Sequence, residues 1–353
     1  MRPPPVLHRL LVLSLLALLA GAWAPVLSTA AVPAAVRERT IVVVKDRRVT
    51  RLVDPATGTT LWEVNTWAAA ALGPDGTLYL GVDRDGGSDV FAFALGDPKP
   101  TLVSDSAPDG ALVAGVSPSG DRLWLLTYDY EGRQRMLPTA LTALPLPADR
   151  VVPDGRPRAY RYEAGGILRS DGRRWYGYDP TADPVQFAEV LFRDGKPLEA
   201  TPLPDAIGSV HLLSPGGHRI YVVSYPRQTI TVVDTAAREV VHTVDLGRKR
   251  SKAPACAAVL SPGGSRLYMV AREGNAPLGI DVYETATFER VARFVPGRSF
   301  YCLAISPDGE RLYADDDRAL VTIDAATGEE LAAVPLERRD VAPPYLDLAT
   351  STG

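Results

Sequence analysis

The residues able to do chemistry are few and scattered. Of four histidines, three lie beyond residue 30: His211, His218 and His242. His211 sits in the apolar run Val210-His211-Leu212-Leu213 and is the candidate for a general base or metal ligand facing a central channel. The competing reading is a structural imidazole with no catalytic partner. His218 falls inside a tight turn and His242 on an outer strand, which makes both surface residues. No Gly-x-Ser-x-Gly elbow, His-Glu-x-x-His or glycine-rich phosphate loop occurs. Asp83, Asp85 and Asp89 alternate beside glycines, and their hard oxygens suit Ca²⁺. The segment lacks the distal glutamate and length of an EF-hand loop, so an Asp/Gly hairpin tip explains it as well. No cofactor is expected.

Binding chemistry is better represented than catalysis. Trp67, Tyr128, Tyr130, Tyr178, Tyr225 and Tyr301 all fall near expected loop ends, and Arg248-Lys249-Arg250 forms a basic loop suited to an anionic ligand. These nine residues are the candidate ligand-binding set.

What must position them is a repeat. Ser306-Pro307-Asp308-Gly309-Glu310-Arg311-Leu312-Tyr313 returns in altered form from Ser261, Ser214 and Ser117, with worn copies from Gly73 and Arg169. Proline presets the first corner of a turn, and glycine takes the positive φ that the second corner requires. A short apolar run precedes each turn and a β-branched or aromatic run follows it, so each copy is a hairpin. A second recurring half, such as Thr231-Val232-Val233-Asp234-Thr235 and Val321-Thr322-Ile323-Asp324-Ala325, adds two more strands around an Asp turn. The turns are spaced by 44, 52, 45, 47 and 45 residues. Four short antiparallel strands at that period make an all-β, β-propeller blade. The turn between first and second strands then marks the structural face of the ring. The variable loops mark the face where a site belongs.

Six turns supply six blades. Three further strands precede them (Thr40–Lys45, Val49–Val53, Thr60–Val64), and one apolar segment, Tyr345–Ala349, follows them. A seventh blade made of one C-terminal strand and three N-terminal strands would close the ring and leave no free edge. The stretch Tyr128–Gly166 is longer than the repeat needs. It is either an insertion on the binding face or a wandering connection.

Residues 1–30 read as a signal peptide. Arg2 and Arg9 precede the apolar core Leu10–Ala20, and Ser28-Thr29-Ala30 offers small residues for cleavage. A retained membrane anchor is the alternative, since Leu10–Leu27 is long enough to span. Residues 31–353 form the single propeller domain. Without the leader the net charge moves from −4 to about −6, which argues against nucleic acid as a partner. The two cysteines, Cys256 and Cys302, fall on neighbouring innermost strands, five and four residues before their turns. That parity favours two buried small hydrophobes over an inter-blade disulfide.

The stretch Ile220–Gly247 resembles the repeat of the YVTN family of secreted bacterial propellers. The Ser-Pro-Asp-Gly turns are similar to those of the wider WD40-like and lactonase-like group. This resemblance implies a seven-bladed ring and export, and no activity. Asp54–Trp62 resembles the blade-docking motif of quinoprotein dehydrogenases, in which Trp packs between blades, but it occurs once and that family's adjacent cysteine pair is absent. The catalytic residues of the gluconolactonase-like propellers have no match here.

The sequence therefore favours an exported, monomeric, non-enzymatic propeller that binds a protein, peptide or cell-envelope glycan through its variable loops. The alternative is a lactonase-like hydrolase or quinoprotein-like oxidoreductase using the central channel. A purely structural surface protein is a third reading.

Overall fold

A computed structural model describes residues 40–350, apart from 46–48, 67, 85–86, 95–98, 109–110, 132–133, 147–158, 163–165, 170, 180–185, 204–207, 209, 253–255, 317 and 337–344. The proposed signal segment and its cleavage site lie outside the described residues. Seven antiparallel sheets stand in a ring, and the described residues contain no helix.

Blade 1 holds β1 (Thr40–Lys45), β2 (Thr50–Val53) and β3 (Thr60–Val64). Blade 2 holds β4 (Ala68–Leu72), β5 (Leu78–Arg84), β6 (Gly87–Phe93) and β7 (Thr101–Ala107). Blade 3 has three strands, β8 (Ala111–Val116), β9 (Arg122–Glu131) and β10 (Gln134–Pro145). Blade 4 is built from β11 (Ala159–Tyr162), β12 (Gly166–Arg169), β13 (Arg174–Asp179), β14 (Gln186–Arg193), β15 (Lys196–Pro197) and β16 (Thr201–Pro202). Blade 5 comprises β17 (Val210–Leu213), β18 (Arg219–Ser224), β19 (Thr229–Asp234) and β20 (Glu239–Asp245). Blade 6 comprises β21 (Ala258–Leu260), β22 (Arg266–Glu273), β23 (Ala276–Glu284) and β24 (Arg290–Phe294). Blade 7 comprises β25 (Cys302–Ile305), β26 (Arg311–Asp315), β27 (Ala319–Asp324) and β28 (Glu330–Pro335).

The last strand, β29 (Tyr345–Thr350), pairs antiparallel with β1, running from Thr40 opposite Thr350 to Lys45 opposite Tyr345. It completes blade 1 as expected. One inner strand from each blade touches the next in ring order β29, β4, β8, β12, β17, β21, β25 and back to β29, and β11 of blade 4 also meets β8 and β17.

Two blades depart from the expected four strands. Among the described residues blade 3 has no outer fourth strand, and the β14–β15 hairpin of blade 4 meets its edge: the Leu141 N–H donates to the Gly195 carbonyl at 2.8 Å. Blade 4 carries β11 inside β12. The described residues of the long Tyr128–Gly166 stretch are nearly all strand, with Tyr128 and Tyr130 in β9 rather than in a loop.

The recurring turn does more than reverse the chain. In all four full copies the serine hydroxyl accepts the backbone N–H five residues on: Arg122 to Ser117, Arg219 to Ser214 and Arg266 to Ser261 at 3.0 Å, and Arg311 to Ser306 at 2.9 Å. The glycine has φ of +79° at Gly309 and +71° at Gly264. It also meets the preceding blade, since a Cβ on Gly264 would lie 2.8 Å from Pro215 and one on Gly309 would lie 3.1 Å from Pro262. Glycine is required twice over, for the turn and for close packing of consecutive turns. Between the sheets lie apolar layers, the largest joining blades 5 to 7 through residues such as Val223, Tyr268, Ile280, Phe300 and Leu312. Trp62 of the Asp54–Trp62 segment packs edge-on against Phe93 of blade 2 at 5.1 Å.

The Asp turns between third and fourth strands titrate. Backbone N–H groups of Ala237 and Ala236 hold Asp234 below the usual carboxylate range, and those of Thr327 and Ala326, with the Thr327 hydroxyl, do the same for Asp324. A carboxyl that stays ionised to lower pH in the fold contributes stability above its unfolded value of about 3.9, which is lost as pH falls through the depressed folded value. Thermal unfolding should therefore be insensitive to these groups above about pH 5 and should fall below it. Asp234→Asn with Asp324→Asn should make that fall shallower, and an unchanged acid limb would rule these turns out as its source. Deleting residues 339–353 removes β29 and opens the ring. Calorimetry should then show the whole domain melting roughly 10 °C lower in one transition.

Candidate functional site

Turns between the first and second strands, and between the third and fourth, share one face. The opposite face carries the loops between second and third strands and the links between blades, and the candidate residues divide sharply there. Trp67 lies outside the described residues, and so does the side chain of Tyr130. Tyr128 is buried between blades 3 and 4 in the cluster that holds Leu125, Leu168 and Trp175. Tyr225 is also buried, its hydroxyl 2.7 Å from the Val270 carbonyl and 3.1 Å from that of Ala257, both in blade 6. Neither is a loop-face aromatic: each ring is buried in the apolar packing, and the Tyr225 hydroxyl finds its partners in the next blade.

Arg248 is likewise withdrawn from the basic loop. Its guanidinium pairs with Asp281, a carboxylate on β23 with no solvent exposure, and its side chain is only 9% exposed. Arg293 from β24 reaches the same carboxylate at 2.7 Å, and Arg290 stands 3.8 Å away. Tyr283, 3.4 Å from Arg248, has its hydroxyl pushed above the usual range by burial and by Asp281, against the pull of the arginines. Lys249 and Arg250 remain exposed.

Sequence reading missed this use of charge. Glu189 on β14 is fully buried and bridges blades 4 and 5 through Arg174 at 2.9 Å and Arg238 at 2.7 Å. Arg298, in the link from blade 6 to blade 7, holds Asp316 at 2.6 Å and also pairs with Glu330. Burial works to raise Asp316, but Arg298 and the backbone N–H groups of Arg318 and Ala319 keep it below the usual range. The detectable signal was a charged residue in the middle of an apolar third strand. Arg51, paired with Glu63 at 2.9 Å, shows it again in blade 1.

Two aromatic groups remain at the variable rim. His211 does not project alone into a channel. Half-buried, it stacks on Phe187 with ring centres 4.1 Å apart and meets the edge of Tyr178 at 5.2 Å. Tyr178 is half-buried with its hydroxyl value raised by burial. That hydroxyl donates to the Gly208 carbonyl and accepts the Gly208 N–H, tying blade 4 to the start of blade 5. Across the ring, the Arg272 guanidinium lies over the half-buried Tyr301 ring at 5.2 Å and donates to the Phe300 carbonyl at 2.9 Å and to Ser299 Oγ at 3.1 Å. His218 is exposed, while His242 stacks on Phe288 at 4.5 Å on the outer wall.

Asp89 is no hairpin-tip residue: it lies within β6, opposite Val82, and is 6% exposed. The side chains of Asp83 and Asp85 lie outside the described residues. Among the described residues no group of three His, Cys, Asp or Glu side chains could hold a metal ion.

Cys256 and Cys302 form a disulfide, contrary to the expectation from parity. Cys256 precedes β21 and lies in a turn, so strand alternation does not govern its side chain. The two Cα atoms are 4.8 Å apart, within the bridging range. The Leu303 N–H donates to the Cys256 carbonyl at 2.9 Å beside them. Closing a loop of 46 residues restricts the unfolded chain by about 4 kcal/mol. Cys256→Ser with Cys302→Ser should lower stability by about that amount in denaturant titration. Equal stability of the variant would show that the bond contributes nothing.

No protein-family model matches the chain, and no curated protein does either. Solved structures are similar in fold. A putative 6-phosphogluconolactonase of Bacteroides fragilis aligns over 90% of this chain and 99% of its own, at 16% identity and a TM-score of 0.53. The periplasmic gluconolactonase of Pseudomonas aeruginosa aligns over 89% and 99%, at 18% identity and 0.51. The Cps50 (Swd1) β-propeller domain of Myceliophteria thermophila covers 77% of this chain and 87% of its own, at 12% and 0.52. In fold, the chain is a seven-bladed propeller of the WD40-like and lactonase-like kind.

Proposed function

We propose that the chain is an exported hydrolase of lactones, with its site on the variable face beside His211. The observation that carries this reading is its whole-length likeness to the two lactonase structures, end to end on their side. It takes precedence over a non-enzymatic binder because that reading loses its residues. Tyr128, Tyr225 and Arg248 are consumed between blades, which leaves Lys249, Arg250, Tyr178 and Tyr301 as the binding candidates among the described side chains. The inter-blade disulfide supports an oxidising, exported setting.

The chemistry needs one water and one proton carrier. Water adds to the lactone carbonyl as His211 removes its proton. The ring carbon–oxygen bond then breaks, and the proton passes to the departing ring oxygen, leaving a hydroxy acid. Phe187 stacked on one face and Tyr178 set perpendicular beside the pair fix the orientation of the imidazole.

Initial rates with gluconolactone and 6-phosphogluconolactone, corrected for spontaneous opening, test the assignment. The purified protein should exceed the background, and His211→Gln, which preserves a polar side chain, should lose about 10²-fold in kcat with its thermal unfolding little changed. Background-level rates, or full activity in the variant, would overturn it. Retention of an envelope protein or glycan by an inactive wild-type chain would return the case to the binding reading.

A further inference from the structure

The outer wall at the boundary of blades 5 and 6 carries a charge imbalance that neither folding nor the proposed hydrolase site requires. Three guanidiniums, from Arg248, Arg290 and Arg293, converge on the single buried carboxylate of Asp281. The comparable buried acid of blade 4, Glu189, is met by two arginines, one on each oxygen. At the boundary of blades 6 and 7 one arginine serves two acids. Asp281 already has its Oδ1 filled by Arg293 and its Oδ2 by Arg248, so Arg290 is surplus to pairing. The adjoining link adds the exposed Lys249 and Arg250 to the same side of the balance. Arg290, 3.8 Å from the Asp281 carboxylate and 47% exposed, is the loosest of the three pairings and the one most open to an anion from solvent.

We propose that this arginine cluster is a binding site for a tetrahedral oxyanion, either free phosphate or a phosphate monoester. Arg248, nine-tenths buried and fixed by Asp281 and Tyr283, is the pre-organised floor of the site. Arg290, with 47% of its side chain exposed, is the arm that closes on the ligand, and Arg293, at 29%, lies between them. Planar guanidinium forks match phosphate oxygens in pairs, and a carboxylate already held beneath them keeps the forks from collapsing onto one another. The site lies on strands β23 and β24, away from His211 on β17, and stands or falls independently of the lactonase reading.

Titration calorimetry of the full chain with inorganic phosphate and with glucose 6-phosphate, each against chloride at matched ionic strength, decides it. Phosphate should bind with millimolar affinity or better while chloride gives no saturable heat. Arg290→Ala should weaken binding at least tenfold without lowering the unfolding temperature of the ligand-free protein, because that side chain is surplus to the Asp281 pairing. Arg290→Lys should recover part of the affinity. Lys249→Ala with Arg250→Ala should weaken it less than threefold. Tighter binding of glucose 6-phosphate than of phosphate would identify the ester as the ligand, and the reverse would identify the free ion. Heat no different from chloride, an unaffected Arg290→Ala variant, or loss confined to the Lys249/Arg250 variant would each overturn the proposal.

Discussion

Everything in the ring depends on the ladder between β29 and β1. A radial stack of sheets has two open ends, and an exposed strand edge invites pairing with other chains. Pairing the end of the chain with its beginning removes both ends together and turns local blade packing into one cooperative structure. One inner strand from each blade can then touch the next all the way round. Each seam is held from both sides, so no blade can tilt without disturbing its neighbours.

The seams themselves differ in how they are held. Consecutive Ser-Pro-x-Gly turns abut on one face, where a side chain on glycine would collide with the preceding proline. The C-terminal half of the ring also relies on polar fasteners. Glu189 links blade 4 to blade 5, the Tyr225 hydroxyl links blade 5 to blade 6, and Cys256–Cys302 links blade 6 to blade 7. A buried carboxylate is costly to desolvate and persists only when paired and hydrogen-bonded. This explains why arginines expected at the surface were found in the seams. Fastening of this kind uses up side chains that would otherwise present a recognition surface, and it leaves the rim beside His211 and the Arg272–Tyr301 pair as the places with chemistry to spare.

The repeat was legible because each blade must solve the same local problem. Its tight turn needs proline at one corner and glycine at the next, and its strands need β-branched and aromatic residues. Blade number, strand order and ring closure followed from that periodicity, down to the three N-terminal strands and one C-terminal strand of blade 1. The β14–β15 hairpin against the edge of blade 3 and the inner β11 of blade 4 were not legible, because a strand there depends on what a neighbouring blade leaves uncovered.

Side-chain destinations belonged to the tertiary structure. Tyr178 and Tyr225 both stand near loop ends in sequence, yet one remains at the rim and the other is sealed under blade 6. Arg248 and Lys249 are neighbours in one basic run, and only the first meets a buried acid 33 residues away. Cys256 escaped the parity rule by lying outside its strand. The sequence by itself determined the blades, since turn and strand preferences act over a few residues. Which polar groups face solvent, and which are spent between blades, was decided only when the curvature of the ring brought distant segments together.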